Sequence, residues 1–343
     1  MLKRSLSTLA FGAALIVASA ANAQKVTDIP WGTSAVGSAG HKALENLARV
    51  LNREMKDYNI AVQTTPGAIA TVKGYATGEF LGYYGADIAF YEYGNDRDRF
   101  KGFKAQAKRE PVQSFWTLTL EVGLGVHSRD KDKFKGWRDL SGQRVFTGPP
   151  PWDVRAHLER AMAAVGVKHN YVQVDTGVVG QQLEAGQLAG FIIYSTAEAG
   201  TAPWITETSL TADWAALSPS AEEVAMLTKA GFATFDATGK QFKRNIHADK
   251  VTLFPFYYGF HVGLEIPGDD VYRMLTTVEK NIEELAKADN SFAQLHAGMA
   301  EMQRRGVASS IDFVKVHPGL ARYMRERKVW DAKWDDRIAA ATN

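Results

Sequence analysis

Cysteine is absent from all 343 residues, which excludes a disulfide framework, a thiolate metal site and a cysteine nucleophile together. An excess of one charge is missing as well: 40 Lys and Arg stand against 38 Asp and Glu, so the chain offers nucleic acid and anionic membranes no electrostatic footprint. No stretch beyond residue 20 approaches the ~20 apolar residues of a membrane-spanning helix, and direct membrane insertion of the processed chain is not expected. G-x-S-x-G, H-E-x-x-H, the P-loop with its lysine and the G-x-G-x-x-G fingerprint are all lacking. The eight histidines, at 41, 127, 157, 169, 247, 261, 296 and 317, show no short ligand spacing, so a zinc site would need distant residues. Neither a cofactor nor a metal is expected, and no enzyme motif argues for catalysis.

What is present begins at the amino terminus. Lys3 and Arg4, a small and apolar run over residues 6–20, and Ala21-Asn22-Ala23 as a small-x-small site read as a secretory signal peptide cleaved after Ala23. Removing 23 of 343 residues leaves 320, and the loss of Lys3 and Arg4 takes the formal charge from +2 to zero. The expected location is the periplasm. With 45% hydrophobic residues, 320 residues can fill two lobes with their own cores.

Strand and helix patterns alternate along the chain, as in parallel sheets flanked by helices. Leu44, Leu47, Ala48, Leu51 and Met55 recur at helical spacing over 41–56. Ile60-Ala61-Val62 reads as a strand, Val72, Tyr75 and Ala76 as a short helix ending near Gly78, and "ADIAFYEY" (86–93) as a buried strand with an aromatic end. Residues 143–147 predict a strand, 148–151 a rigid turn, and Val154, Leu158, Ala161, Met162 and Val165 a helix whose start Asp153 can cap. "GFIIYS" (190–195) reads as a further strand. Long extended segments near 115–126 and 251–267 bracket this second half, which is the pattern of a double-stranded hinge. The expected architecture is α/β, two-lobed and periplasmic-binding-protein-like, with lobe 1 from 24–122 plus 258–343 and lobe 2 from 123–257.

Two loops carry the chemistry. "WGTSAVGSAG" (31–40) sets small residues in front of a helix, where free N–H groups and the positive helix end near Gly37, Ser38 and Ala39 suit a carboxylate or phosphate. Ser34 and Ser38 add hydroxyls, although a tight strand-to-helix turn capped by Ser38 explains the same residues. "GPPPWDVR" (148–155) stands in the matching position of the other half. Pro149 and Pro150 stiffen it, and Trp152 offers an indole to a ligand or to the hinge. Arg155 can grip a carboxylate bidentately or pair with Asp153 or Glu159. Tyr91 and Glu92 at one strand end, and Tyr194 at another, point toward the same gap; Glu92 suits an ammonium group, or else Arg97 or Arg99. His317-Pro318-Gly319 reads as a helix-initiating turn.

In order, "GTSAVGSAGHKALENLARVLN", "PGAIATVKGYATGEFLGYYGADIAF", "DLSGQRVFTGPPPWDVRAHLERAMAAVGV" and "VHPGLARYMRE" resemble the signature blocks of the TAXI family, the extracytoplasmic solute-binding subunits of TRAP-type tripartite transporters. The resemblance spans nearly all of the chain after Ala23. It implies a receptor that closes on a small organic anion, such as an amino acid or carboxylic acid, and hands it to membrane permease subunits. Its ligand loops fall on residues 32–41, including Thr33, on Gly67, Ala68 and Thr71, and on 148–154. The chain departs from the family pattern at Gly40 and His41, at Ala68, and at Pro151-Trp152-Asp153, so the resemblance does not fix the ligand. A periplasmic sensor subunit and, less directly, a periplasmic hydrolase are the alternatives.

Overall fold

In the computed structural model, which describes residues 26–340, the first half of the chain builds three parallel strands. They are β1 (Thr27–Thr33), β2 (Tyr58–Thr64) and β3 (Gly82–Ala86), in the order β2-β1-β3. The twelve-residue β4 (Trp116–His127) follows, buried along its whole length. The second half repeats the plan with β5 (Arg144–Phe146), β6 (Asn170–Tyr171) and β7 (Gly190–Thr196), parallel and ordered β6-β5-β7. The short β8 (Gly200–Thr201), β9 (Trp214–Leu217) and β10 (Phe235–Ala237) pair with β7, β4 and β11 in turn, and the twelve-residue β11 (Val251–Val262) returns to the first half.

The long strands join the halves by changing partners along their length. β4 pairs with β11 through Trp116 to Val122, then with β7 and β9 from Leu120 onward. β11 pairs with β10 at its start, with β4 in its middle and with β3 at its end. Each half therefore has parallel strands beside one antiparallel crossing strand, giving the full order β2-β1-β3-β11-β4-β7-β5-β6. This is a two-lobed α/β fold with a two-strand hinge, as the sequence predicts.

The helix Ala39–Glu54 buries Leu44, Leu47, Ala48 and Leu51, the face that the spacing predicts. The helix Ala68–Thr77 ends at Gly78 with φ of +97°, a left-handed cap that glycine adopts without strain. His317 caps the helix Pro318–Glu326 with its ring nitrogen, which accepts from the Gly319 amide. One expectation is overturned: β3 is the strand, and residues 87–94 form the helix Asp87–Gly94. Ile88, Ala89, Phe90, Glu92 and Tyr93 are all buried, so the helix shows no polar face and its sequence imitates a buried strand. Among the described residues no helix is long and apolar enough to cross a membrane, and no group of His, Asp or Glu is gathered to hold a metal ion. The expected signal peptide lies outside the described residues.

Candidate functional site

In each half a loop and a helix follow the carboxyl end of a parallel strand, the position where open α/β sheets bind ligands. After β1 the chain runs through Ser34 and Ser38 into the helix Ala39–Glu54; after β5 it runs through the three prolines and Trp152 into the helix Asp153–Ala164. The two turns face one another across a narrow cleft that encloses about 40 Å3. Ser34, Ser38, Ala39, Gly40, Ala68 and Tyr84 line one side, and Trp152, Val154 and Tyr194 the other, with Leu120 and Tyr258 of the crossing strands between them.

The first loop is built to present donors. Ser38 is the helix N-cap and accepts from the His41 amide at 3.2 Å, while Ser34 and Ser38 hydroxyls meet at 2.6 Å. Whichever serine donates in that pair, one hydroxyl hydrogen is left for the cleft. The first-turn amides of Ala39 and Gly40 have no hydrogen-bond partner among the described residues, as expected of a helix start. Gly40 has a steric reason. A Cβ there would come within 2.4 Å of the Tyr84 ring, which occupies the space a side chain at position 40 would need.

Three tyrosines converge from β3, β7 and β11. Tyr84 stacks on Tyr258 with ring centroids 4.4 Å apart, and its hydroxyl bonds to no protein group among the described residues. The Tyr194 hydroxyl accepts from Trp204 Nε1 at 2.9 Å, which leaves its own hydrogen free. The Tyr258 hydroxyl donates to Asp153 at 2.9 Å. Burial pushes all three phenols above their ordinary range, so they stay protonated donors at neutral pH.

Of the residues the sequence singles out, Ser34, Ser38, Ala39, Ala68, Trp152 and Tyr194 meet in this cleft; the others have different surroundings. Thr33 is buried, its carbonyl accepting from Thr65, and Gly37 forms an exposed-side turn with φ of +82°. Thr71 is an internal tie, its hydroxyl donating to the Ala68 and Tyr84 carbonyls. Gly67 faces the opposite loop so closely that a Cβ would lie 2.7 Å from the Pro151 carbonyl oxygen. The Pro149 carbonyl accepts from the Trp152 amide, and Pro150 lines a neighbouring arginine-rich crevice with Tyr91 and Glu92. The Trp152 indole donates to the Pro66 carbonyl at 3.3 Å.

Charged groups are satisfied elsewhere. Arg155 donates to Glu159 at 2.9 Å and covers the Tyr171 ring, so it does not reach into the cleft. The Tyr91 hydroxyl accepts from Arg97. Glu92 pairs with Arg99 at 2.7 Å, and Arg99 reaches across to Asp153 at 2.5 Å. Burial pushes the Glu92 carboxyl up, against the opposing pull of Arg99. Asp153 makes no capping bond to its helix, contrary to expectation; it is fully buried and serves Arg99 and Tyr258 instead. Gly40 and Val154 fall within the ligand loops that the resemblance implies, whereas Tyr84, Leu120 and Tyr258 were not foreseen. The available signal was the repeated Tyr-Tyr-Gly of β3 and β11, where period-two alternation sends neighbouring rings to opposite faces.

A fold of this kind, with its cleft at the strand ends of two halves joined by two crossing strands, defines the class of two-lobed periplasmic binding proteins. The chain belongs to the NMT1-like family, whose profile matches residues 31–327. No curated protein matches. Among solved structures the chain is similar to the periplasmic aliphatic sulphonate binding protein SsuA from Escherichia coli, at 13% identity over 90% of this chain and 82% of that one, with a TM-score of 0.47. It is also similar to the probable amino-acid ABC transporter extracellular-binding protein ytmK from Bacillus subtilis, at 11% identity over 79% and 99% of the two chains and a TM-score of 0.42.

Proposed function

We propose that this chain is an extracytoplasmic solute receptor, exported to the periplasm with cleavage after Ala23, which captures a small organic anion in the cleft. The ligand is an amino acid or carboxylic acid, and the closed receptor delivers it to the permease subunits of a TRAP-type transporter. The lobes are residues 24–122 plus 258–343 and residues 123–257, turning on β4 and β11. The observation that carries this reading is the convergence on one gap of unpartnered donors from the first loop and from strands of both halves: the Ala39 and Gly40 amides, a serine hydroxyl, and the Tyr84 and Tyr194 hydroxyls. Donors held in place by the fold bind an acceptor-only group strongly, because little of the site has to reorganise. The resemblance to the TAXI signature blocks supports the transporter assignment. No covalent step is required.

Thermal unfolding of the processed protein with a panel of amino acids, keto acids and carboxylates tests the proposal. A ligand at a hundred times its Kd is expected to raise Tm by about 5 °C and to be recovered chemically unchanged. Product formation, or no shift with any acid in the panel, overturns it.

A further inference from the structure

The cleft is rich in hydrogen-bond donors and rings, yet among the described residues no charged side chain lines it. Arg155 is turned to Glu159 and Tyr171. Glu92 and Asp153 are held by Arg99, and Asp289, whose buried Oδ2 has no hydrogen-bond partner, sits in the adjoining chamber among three cations, Lys42 at 3.7 Å with Lys243 and Lys287. An ammonium group entering the cleft therefore meets hydroxyl and amide hydrogens in place of a free carboxylate, and burying it unpaired is costly. The rest of the lining is flat and apolar: the rings of Tyr84, Trp152, Tyr194 and Tyr258, with Leu120 and Val154. At about 40 Å3 the enclosed space lies well below the ~300 Å3 of ordinary ligand sites, so it suits only a small, flat body.

Resting on the receptor reading above, we propose that the ligand is a small monocarboxylate with a flat, ring-bearing body and no ammonium group. Its carboxylate sits against the Ala39 and Gly40 amides, with the Tyr84 hydroxyl as the donor that completes its shell. Tyr84 is suited to this. It is 3% exposed, it lines the cleft, its ring lies against Gly40, and its hydroxyl bonds to no protein group among the described residues. The body of the ligand lies among the remaining rings, where offset or edge-on aromatic contacts add to simple burial.

Isothermal titration of the processed protein with benzoate, phenylacetate, phenylalanine, glutamate and glutarate tests the assignment, with the fluorescence of Trp152 as a second readout checked against W152F. Benzoate or phenylacetate is expected to bind at least about tenfold more tightly than phenylalanine, glutamate or glutarate, and to change the Trp152 signal. Y84F keeps the stacked ring and is expected to weaken the ring acids about tenfold at unchanged Tm. Tighter binding of glutamate, phenylalanine or glutarate overturns this ligand class while leaving the receptor reading intact, and failure of all five to bind overturns both. Unchanged affinity in Y84F removes Tyr84 from the carboxylate site and with it the proposal.

Discussion

Glu121 lies in the middle of β4 with its carboxyl group wholly buried, bonded to the Thr119 and Ser195 hydroxyls and accepting the Glu198 amide at 3.2 Å. Burial, opposed by those hydrogen bonds, pushes it from 4.5 up to about 7. A raised carboxyl pKa means that the folded state holds the proton more tightly than the unfolded chain. The stability that this contributes is fully present below about pH 4.5 and is lost as pH rises to 7, amounting to about 3 kcal/mol. His157 and His261, pushed down to about 3 by burial, act with the opposite sign, losing stability as pH falls below 6.5. The difference between wild type and E121Q isolates the carboxyl: because the histidines act the other way, the urea midpoint at pH 5 relative to that at pH 8 should be higher for the wild type than for E121Q. Equal pH dependence of the two proteins counts against a buried, protonated Glu121. At this scale the sequence speaks of residue types but not of partners. Arg155 and Glu92 were sound candidates for ligand contacts, and only the fold shows that Glu159 and Arg99 reach them first.

The helix Ala39–Glu54 does two jobs at its first turn, and they can be separated. Ser38 stabilises the helix by accepting the His41 amide and, through its contact with Ser34, orients a hydroxyl toward the cleft. S38A should cost about 1 kcal/mol of stability and S38G only a few tenths, while both should weaken ligand binding by a similar factor; urea denaturation and titration calorimetry read the two effects. A loss of affinity that tracks stability alone would make Ser38 only a cap. Elements of this kind were legible because one face is buried and one is wet, so the 3.6-residue period survives in the sequence. The Asp87–Gly94 helix was not, being buried at Ile88, Ala89, Phe90, Glu92 and Tyr93, and the true strand beside it, Gly-Tyr-Tyr-Gly-Ala, carries glycines that mask its signal. Missing β3 hid Tyr84, and with it the reason position 40 is glycine. The loops 31–40 and 148–155 that meet at the cleft stood out in the sequence because each breaks a pattern with small or rigid residues.

Across the whole molecule, the halves meet through the protein's own side chains. Arg99 of the first half binds Glu92 on its own side and Asp153 on the other, Tyr258 of the crossing strand adds a hydrogen bond to Asp153, and Trp152 reaches the Pro66 carbonyl. This network lies at the edge of the cleft and ties the two halves together with no ligand charge required. Removing one member of a buried ion pair costs about 3–5 kcal/mol when the other stays buried, but opening the cleft lets Asp153 regain water, so the cost falls on the closed form more than on the fold. R99A should therefore shift the unliganded protein toward an open state. Small-angle scattering should give a larger radius of gyration than wild type, and addition of the best-binding acid should bring it back to the wild-type value. Since the apparent affinity scales with the population of the binding-competent form, the Kd for that acid should rise about tenfold or more, while Tm in its absence also falls because buried Glu92 loses its partner. An unchanged radius and unchanged Kd in R99A would mean that the Arg99–Asp153 pair follows closure without contributing to it.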